Sequence, residues 1–112
     1  MKAYTDIEQS KKLAEILPLK SADMHYERVY FEGKQSDWFV KLGTPIKSDD
    51  IIPCWSLAAL LSVLPYPVIE HNYNDKWVCR TTHKNTIYLW EDYNPVDSCV
   101  KMILKLKENN LL

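Results

Sequence analysis

Ile51-Ile52-Pro53-Cys54-Trp55-Ser56-Leu57-Ala58-Ala59-Leu60-Leu61-Ser62-Val63-Leu64-Pro65-Tyr66-Pro67-Val68-Ile69 runs without a formal charge from Asp50 to Glu70. Its length approaches a membrane span, but a proline inside a helix lacks the N–H donor and clashes with the preceding turn. Pro53, Pro65 and Pro67 therefore confine regular helix to Cys54 to Leu64. Those residues reach roughly 16 Å, about half a bilayer core, so the reading is a buried helix rather than a membrane anchor. Leu57, Leu60, Leu61 and Leu64 fall at i, i+3, i+4 and i+7 and make one apolar stripe. Ala58, Ala59 and Ser62 leave a small-residue flank that a sheet can approach closely.

Working outward, the 112 residues suit one domain, residues 1–112, able to bury a core. The net charge is −1, and neither half is biased: residues 1–50 carry eight Lys and Arg against nine Asp and Glu, and residues 51–112 carry six against six. That balance offers no basic footprint for a polyanion, so nucleic acid is not an expected partner. The opening Met1-Lys2-Ala3-Tyr4-Thr5-Asp6-Ile7-Glu8 has no apolar core of a signal peptide, which points to the cytoplasm. Cys54, Cys79 and Cys99 are odd in number and never spaced Cys-x-x-Cys, the pattern of buried free thiols rather than of a disulfide framework or a zinc ribbon. With Gly33 and Gly43 as the only glycines, no glycine-rich phosphate loop can be built.

Thr5 followed by Glu8 reads as a capping box for a first helix ending by Leu17, before Pro18, with Ile7, Leu13, Ala14 and Leu17 as its apolar face. Ala22 to Glu32 and Trp38 to Leu42 are rich in aromatic and β-branched residues and predict two strands around a turn at residues 33–37. Ile46 to Asp50 reads as a polar loop leading to the central helix. After Pro67 a three-strand meander is predicted: Val68 to Tyr73, a two-residue turn at Asn74-Asp75, Lys76 to Thr82, a three-residue loop His83-Lys84-Asn85, and Thr86 to Glu91. Asn94 as cap, Pro95 at the first helical position, and Lys101, Lys105 and Lys107 towards the negative end define the last helix. The expected fold is α+β: one antiparallel sheet of about five strands with three helices, in the order α-β-β-α-β-β-β-α.

Residues with chemical potential are scattered. His25, His71 and His83 lie on or between strands without the i, i+4 spacing of a helical metal site. Cys54 at a helix start would have a lowered pKa if open to solvent, but Pro53 and Trp55 beside it favour burial. Asp49-Asp50 and Glu91-Asp92 are the only adjacent acids and read as caps and turns. No cofactor and no metal is called for. The unusual component is aromatic: four Trp and seven Tyr. If Ile87, Leu89, Trp77 and Cys79 face the core, Tyr88, Trp90 and Arg80 share the outer sheet face, which is either covered by the first helix or the N-terminal strands or left as an aromatic/Arg patch suited to binding a peptide, a base or a second copy.

Three strings, Tyr4 to Pro18, Ile52 to Leu61, and Asn94 to Val100, resemble a family of small uncharacterised proteins from gut Bacteroidetes and their prophages. The resemblance implies an accessory or host-interaction role and no particular activity. Two readings follow from the residues. The first is a small cytoplasmic binding or interaction module whose partner is another protein or a second copy. The second is a small enzyme whose Cys, His and acidic groups converge only in the folded chain.

Overall fold

Ser56, not Cys54, starts the central helix. Its Oγ accepts the backbone N–H of Ala59 in the N-cap arrangement, and helix α2 spans Leu57–Val63. Ahead of it Ile51–Cys54, expected to be loop and helix start, is a strand. The structure is a computed structural model that describes residues 1–112. Helix α1 is Ile7–Ala14 and is followed by a single 3-10 turn, Leu19–Ser21. The strands are β1 (Met24–Glu27), β2 (Tyr30–Phe31), β3 (Lys34–Gln35), β4 (Phe39–Leu42), β5 (Ile51–Cys54), β6 (Val68–His71), β7 (Trp77–His83) and β8 (Thr86–Asp92). Helix α3, Pro95–Glu108, closes the order.

The α+β class holds, but the single sheet of about five strands is corrected to three small antiparallel sheets: β4-β1-β5, β2-β3 and β6-β7-β8. The cause is local. Beyond Glu27 the chain leaves the β1 ladder, because Arg28 donates its N–H to the Asp50 carbonyl and its Nε to the Asp50 carboxylate, while Ser36 bonds both backbone groups of Val29. Glu32 and Gly33 then take positive φ, 51° and 77°, and the two-residue turn splits the expected Ala22–Glu32 strand into β1 and half of a separate hairpin. The ladder place beside β1 goes to β5, with Met24 opposite Cys54 and Tyr26 opposite Ile52. Pro53 is tolerated because β5 lies at the edge of that sheet.

Helix α1 begins one residue later than its sequence suggests. Asp6 caps it, accepting the N–H of Gln9 while the Gln9 side chain accepts the N–H of Asp6. Thr5 is diverted: fully buried, it shares a hydrogen bond with Ser10 and accepts the backbone N–H of Trp55 at 3.1 Å. Ala14, placed on the apolar face by the sequence reading, is exposed. The main core lies where α1, α2 and α3 meet the inner face of β7 and includes Leu13, Trp55, Leu60, Cys79, Cys99 and Ile103, all fully buried. A smaller cluster of Met24, Tyr26, Ile52 and Cys54 sits over the first sheet. Consecutive residues Cys54 and Trp55 belong one to each cluster, so this dipeptide is the seam between the halves. The small-residue flank of α2 is not met by a sheet; Ala58, Ala59 and Ser62 line an open groove. No helix is long and apolar enough to cross a membrane.

Candidate functional site

The meander's faces are set by its two turns. Lys84 and Asn85 alone form the second one, both at positive φ, so His83 pairs with Thr86 and Cys79 with Trp90. The first has three residues, Tyr73 to Asp75, closed by Asn72, whose Oδ1 accepts the N–H groups of Asn74 and Lys76. Inward-facing Cys79 therefore carries Ile69 and Trp90 with it, and Thr81 carries Tyr88. Tyr88 and Trp90 pack against the main core. The expected grouping of Arg80, Tyr88 and Trp90 is corrected accordingly: Arg80 stands opposite Val68 and Leu89 and points the other way from both aromatics.

Arg80 is instead the centre of an apolar outer face. Across the three strands the rows read Glu70, Val78, Glu91, then Val68, Arg80, Leu89, then Thr82 with Ile87. Val68, Ile87 and Leu89 are 43%, 53% and 60% exposed. Glu91 accepts a hydrogen bond from Asn72 at 2.7 Å, and Lys76, one row further on, lies 5.6 Å from the ring centroid of Tyr93. Neither Arg80 nor Glu70 has an ion-pair partner within the chain.

The groups that an enzyme would have to assemble lie apart. His71 ends β6 opposite Trp77, the first residue of β7, 2.9 Å from Asp75 and stacked on Trp77 with ring centroids 4.8 Å apart, whereas His83 ends β7 beside the second turn. His25 bonds the Gly43 carbonyl at 3.0 Å. Cys54 is fully buried against Thr5, and burial pushes its thiol pKa up. Asp50 is paired with Arg28, and Asp92 with Lys101. No three His, Cys, Asp or Glu side chains stand close enough to share a metal ion. Two open depressions mark the surface: one of about 440 Å³ lined by Lys20, Asp23, Thr44 and the α2 flank, and one of about 310 Å³ lined by Lys2, Tyr4, Asp6 and Tyr26. Cys and His are missing from both linings. Asp23 in the larger groove is committed to α2, accepting from the N–H and the hydroxyl of Ser56.

Beside the smaller depression is a polar cluster that sequence spacing does not reveal, since its members lie up to 95 residues apart. Lys2 Nζ lies 3.0 Å from Asp6 and 2.9 Å from Asp97, and Asp97 also accepts from Gln9 and Asn94. Burial disfavours the Asp97 carboxylate, but the bonds from Lys2, Gln9 and Asn94 outweigh it and hold its pKa below the usual carboxylate value. For Lys2, likewise, burial is outweighed by the bonds to Asp97 and Asp6, and its pKa is raised. A depressed carboxyl stabilises the fold above its unfolded pKa and loses that contribution as pH falls through the folded value. A raised lysine contributes below its unfolded pKa and loses it as pH rises through the folded one. Asp97→Asn should therefore lower stability near neutrality by about 1 to 2 kcal/mol, the difference from wild type shrinking as pH falls below the ordinary carboxylate range and through the lowered Asp97 pKa. Urea titrations across pH check it, and a pH-independent difference would contradict the assignment.

Comparison with protein-family models, curated proteins and solved structures finds no match, so function is argued from this chain's own residues.

Proposed function

We propose that the chain is a small cytoplasmic interaction module that pairs with a second copy of itself through the outer face of β6-β7-β8. The observation that carries this reading is the set of exposed aliphatic side chains Val68, Ile87 and Leu89 around an Arg80 that has no ion-pair partner within the chain. A compact protein of this mass exposes about 6400 Å², whereas this chain exposes 7183 Å². The excess, roughly 800 Å² over the whole chain, goes with its elongated 54 × 30 × 20 Å extents. The radius of gyration of 15.2 Å likewise exceeds the roughly 13 Å of a compact chain of this length.

A symmetric interface must be complementary to itself after a half turn. On this face Arg80 lies in the middle row, Glu70 and Glu91 lie in a row at one end, and Lys84 lies in the turn at the other. A half turn about an axis across the strands sets each copy's Arg80 over Val78 of the other, between its Glu70 and Glu91, with Val68 and Leu89 over the aliphatic stems of those glutamates. The balanced net charge and the central Arg among aliphatic side chains favour this over a nucleic-acid surface. The cytoplasmic setting is supported by three free thiols. An accessory role of the kind that prophage-carried proteins fill is part of this reading and rests on the resemblance of the three sequence strings alone.

Sedimentation velocity over a micromolar to millimolar series tests it. Wild type should show a concentration-dependent dimer. Leu89→Asp, at an exposed position, should keep the wild-type circular-dichroism spectrum and raise the dimer dissociation constant roughly thirtyfold or more. A wild type that stays monomeric throughout, or a folded Leu89→Asp that dimerises as wild type does, overturns this reading.

A further inference from the structure

Outside the proposed interface, one pair of reactive groups has no part in it. Cys79, on the inner face of β7, and Cys99, on the first turns of α3, lie with their sulfurs 3.6 Å apart, and both are fully buried. Sulfurs in van der Waals contact between two packed elements need only small side-chain rotations to reach the covalent separation of about 2 Å. We infer that Cys79 and Cys99 form a dithiol that a hydroperoxide converts into a disulfide joining β7 to α3.

The steps balance as follows. One thiolate attacks a peroxide oxygen, forming an S–O bond and breaking the O–O bond, and the leaving hydroxide takes a proton to become water. The second sulfur attacks the resulting sulfenic sulfur, forming the S–S bond and expelling a second hydroxide, which takes up the remaining thiol proton. Two thiols and one hydrogen peroxide thus give one disulfide and two waters, with the sulfurs oxidised by two electrons and the peroxide reduced. The hydrogen bond between the two thiols holds the Cys79 pKa down and the Cys99 pKa up, which makes Cys79 the attacking thiolate, and because both are fully buried a peroxide reaches them only when α3 parts briefly from the sheet. Once made, the bond closes a 20-residue separation and opposes that same opening.

Cys54 is the internal control, since its sulfur faces Thr5 and no second thiol. The full-length protein is incubated with millimolar hydrogen peroxide, then unfolded, alkylated and mapped by mass spectrometry. The expected product is a Cys79–Cys99 crosslinked peptide, two hydrogens lighter, with Cys54 still alkylated and a melting temperature raised by roughly 5 to 15 °C. Dithiothreitol should reverse both changes, and Cys99→Ala should abolish the crosslink and the thermal shift while remaining folded by circular dichroism. Because a destabilised variant could open more readily, Cys79→Ser is run beside it and should give the same loss. The inference is overturned if Cys79 and Cys99 remain fully alkylatable after the peroxide treatment, whatever the state of Cys54. It is equally overturned if the disulfides formed are mixed among all three cysteines, or if the Cys79–Cys99 bond lowers the melting temperature.

Discussion

Trp55→Ala is expected to bring this protein to the edge of unfolding, with a loss of about 3 to 5 kcal/mol. Domains of this size hold only about 5 to 15 kcal/mol in total. Trp55 is the largest fully buried side chain. Its indole Nε1 donates to Ser21 at 3.0 Å, its backbone N–H donates to the Thr5 hydroxyl, and its carbonyl accepts from the Thr5 N–H. Truncation would leave a cavity the size of an indole ring at the seam between the two clusters and free Ser21 of its partner. Trp55→Phe separates these contributions: it retains most of the volume and loses the Nε1 bond, and should cost about 1 to 2 kcal/mol. Urea midpoints followed by circular dichroism measure both. A Trp55→Ala midpoint within experimental error of wild type would show that the halves are held together elsewhere.

That position also shows how far the sequence could be read. Within the uncharged stretch the buried helix was legible between Cys54 and Leu64, and the prolines were legible as breaks, because composition and proline chemistry act locally, while Tyr66 and Val68 beyond it are exposed. The start of α2 was not, since Ile51 to Cys54 has the branched and apolar residues of either element, and only pairing with β1 decides for strand. Helix α3 was legible in its cap and most of its core face: Asn94 accepts the N–H of Asp97, Pro95 follows it, and Val96, Cys99, Val100 and Ile103 are buried at the helical period, while the expected Leu104 is only half-buried and Met102 and Leu106 join the core. For α1, Thr5-x-x-Glu8 and Asp6-x-x-Gln9 are competing capping boxes one residue apart. The choice is made by Trp55, whose N–H occupies the Thr5 oxygen from fifty residues away.

The candidate surface was misassigned for a reason that can be stated in one residue. A three-residue loop at His83 to Asn85 would set Cys79 opposite Leu89, whereas the actual two-residue turn sets it opposite Trp90. Because strand side chains alternate, that slip of one turns every side chain of β8 over. Tyr88 and Trp90 thereby move from the proposed surface into the core, and Ile87 and Leu89 take their place. Part of the signal was present in the sequence, since Asn85 is suited to positive φ, but Lys84 beside it also takes positive φ, and that is what shortens the turn to two residues. The Lys2, Asp6, Asp97 cluster and the Cys79–Cys99 contact left no comparable trace, because each is made by tertiary packing between distant segments.

Within α2 the four leucines are equivalent by spacing but not by packing. Leu60 is fully exposed to the core and closed to solvent at 0%, and Leu64 is at 4%, while Leu57 and Leu61 are only half-buried along its margin. A seven-residue helix presents a narrow line to α3, and the groove on its Ala58 and Ser62 side leaves the flanking positions wet. Leu60→Ala should therefore cost about 2 to 5 kcal/mol, near the upper end, because the site is fully buried against α3 and little can collapse into the cavity. Leu61→Ala removes the same atoms from a site that water already reaches, and should cost about 1 kcal/mol or less. Parallel urea denaturation of the two variants reads the difference directly. Equal losses would mean that α2 is rotated about its axis from the orientation described, with Leu61 sharing the core line that Leu60 occupies.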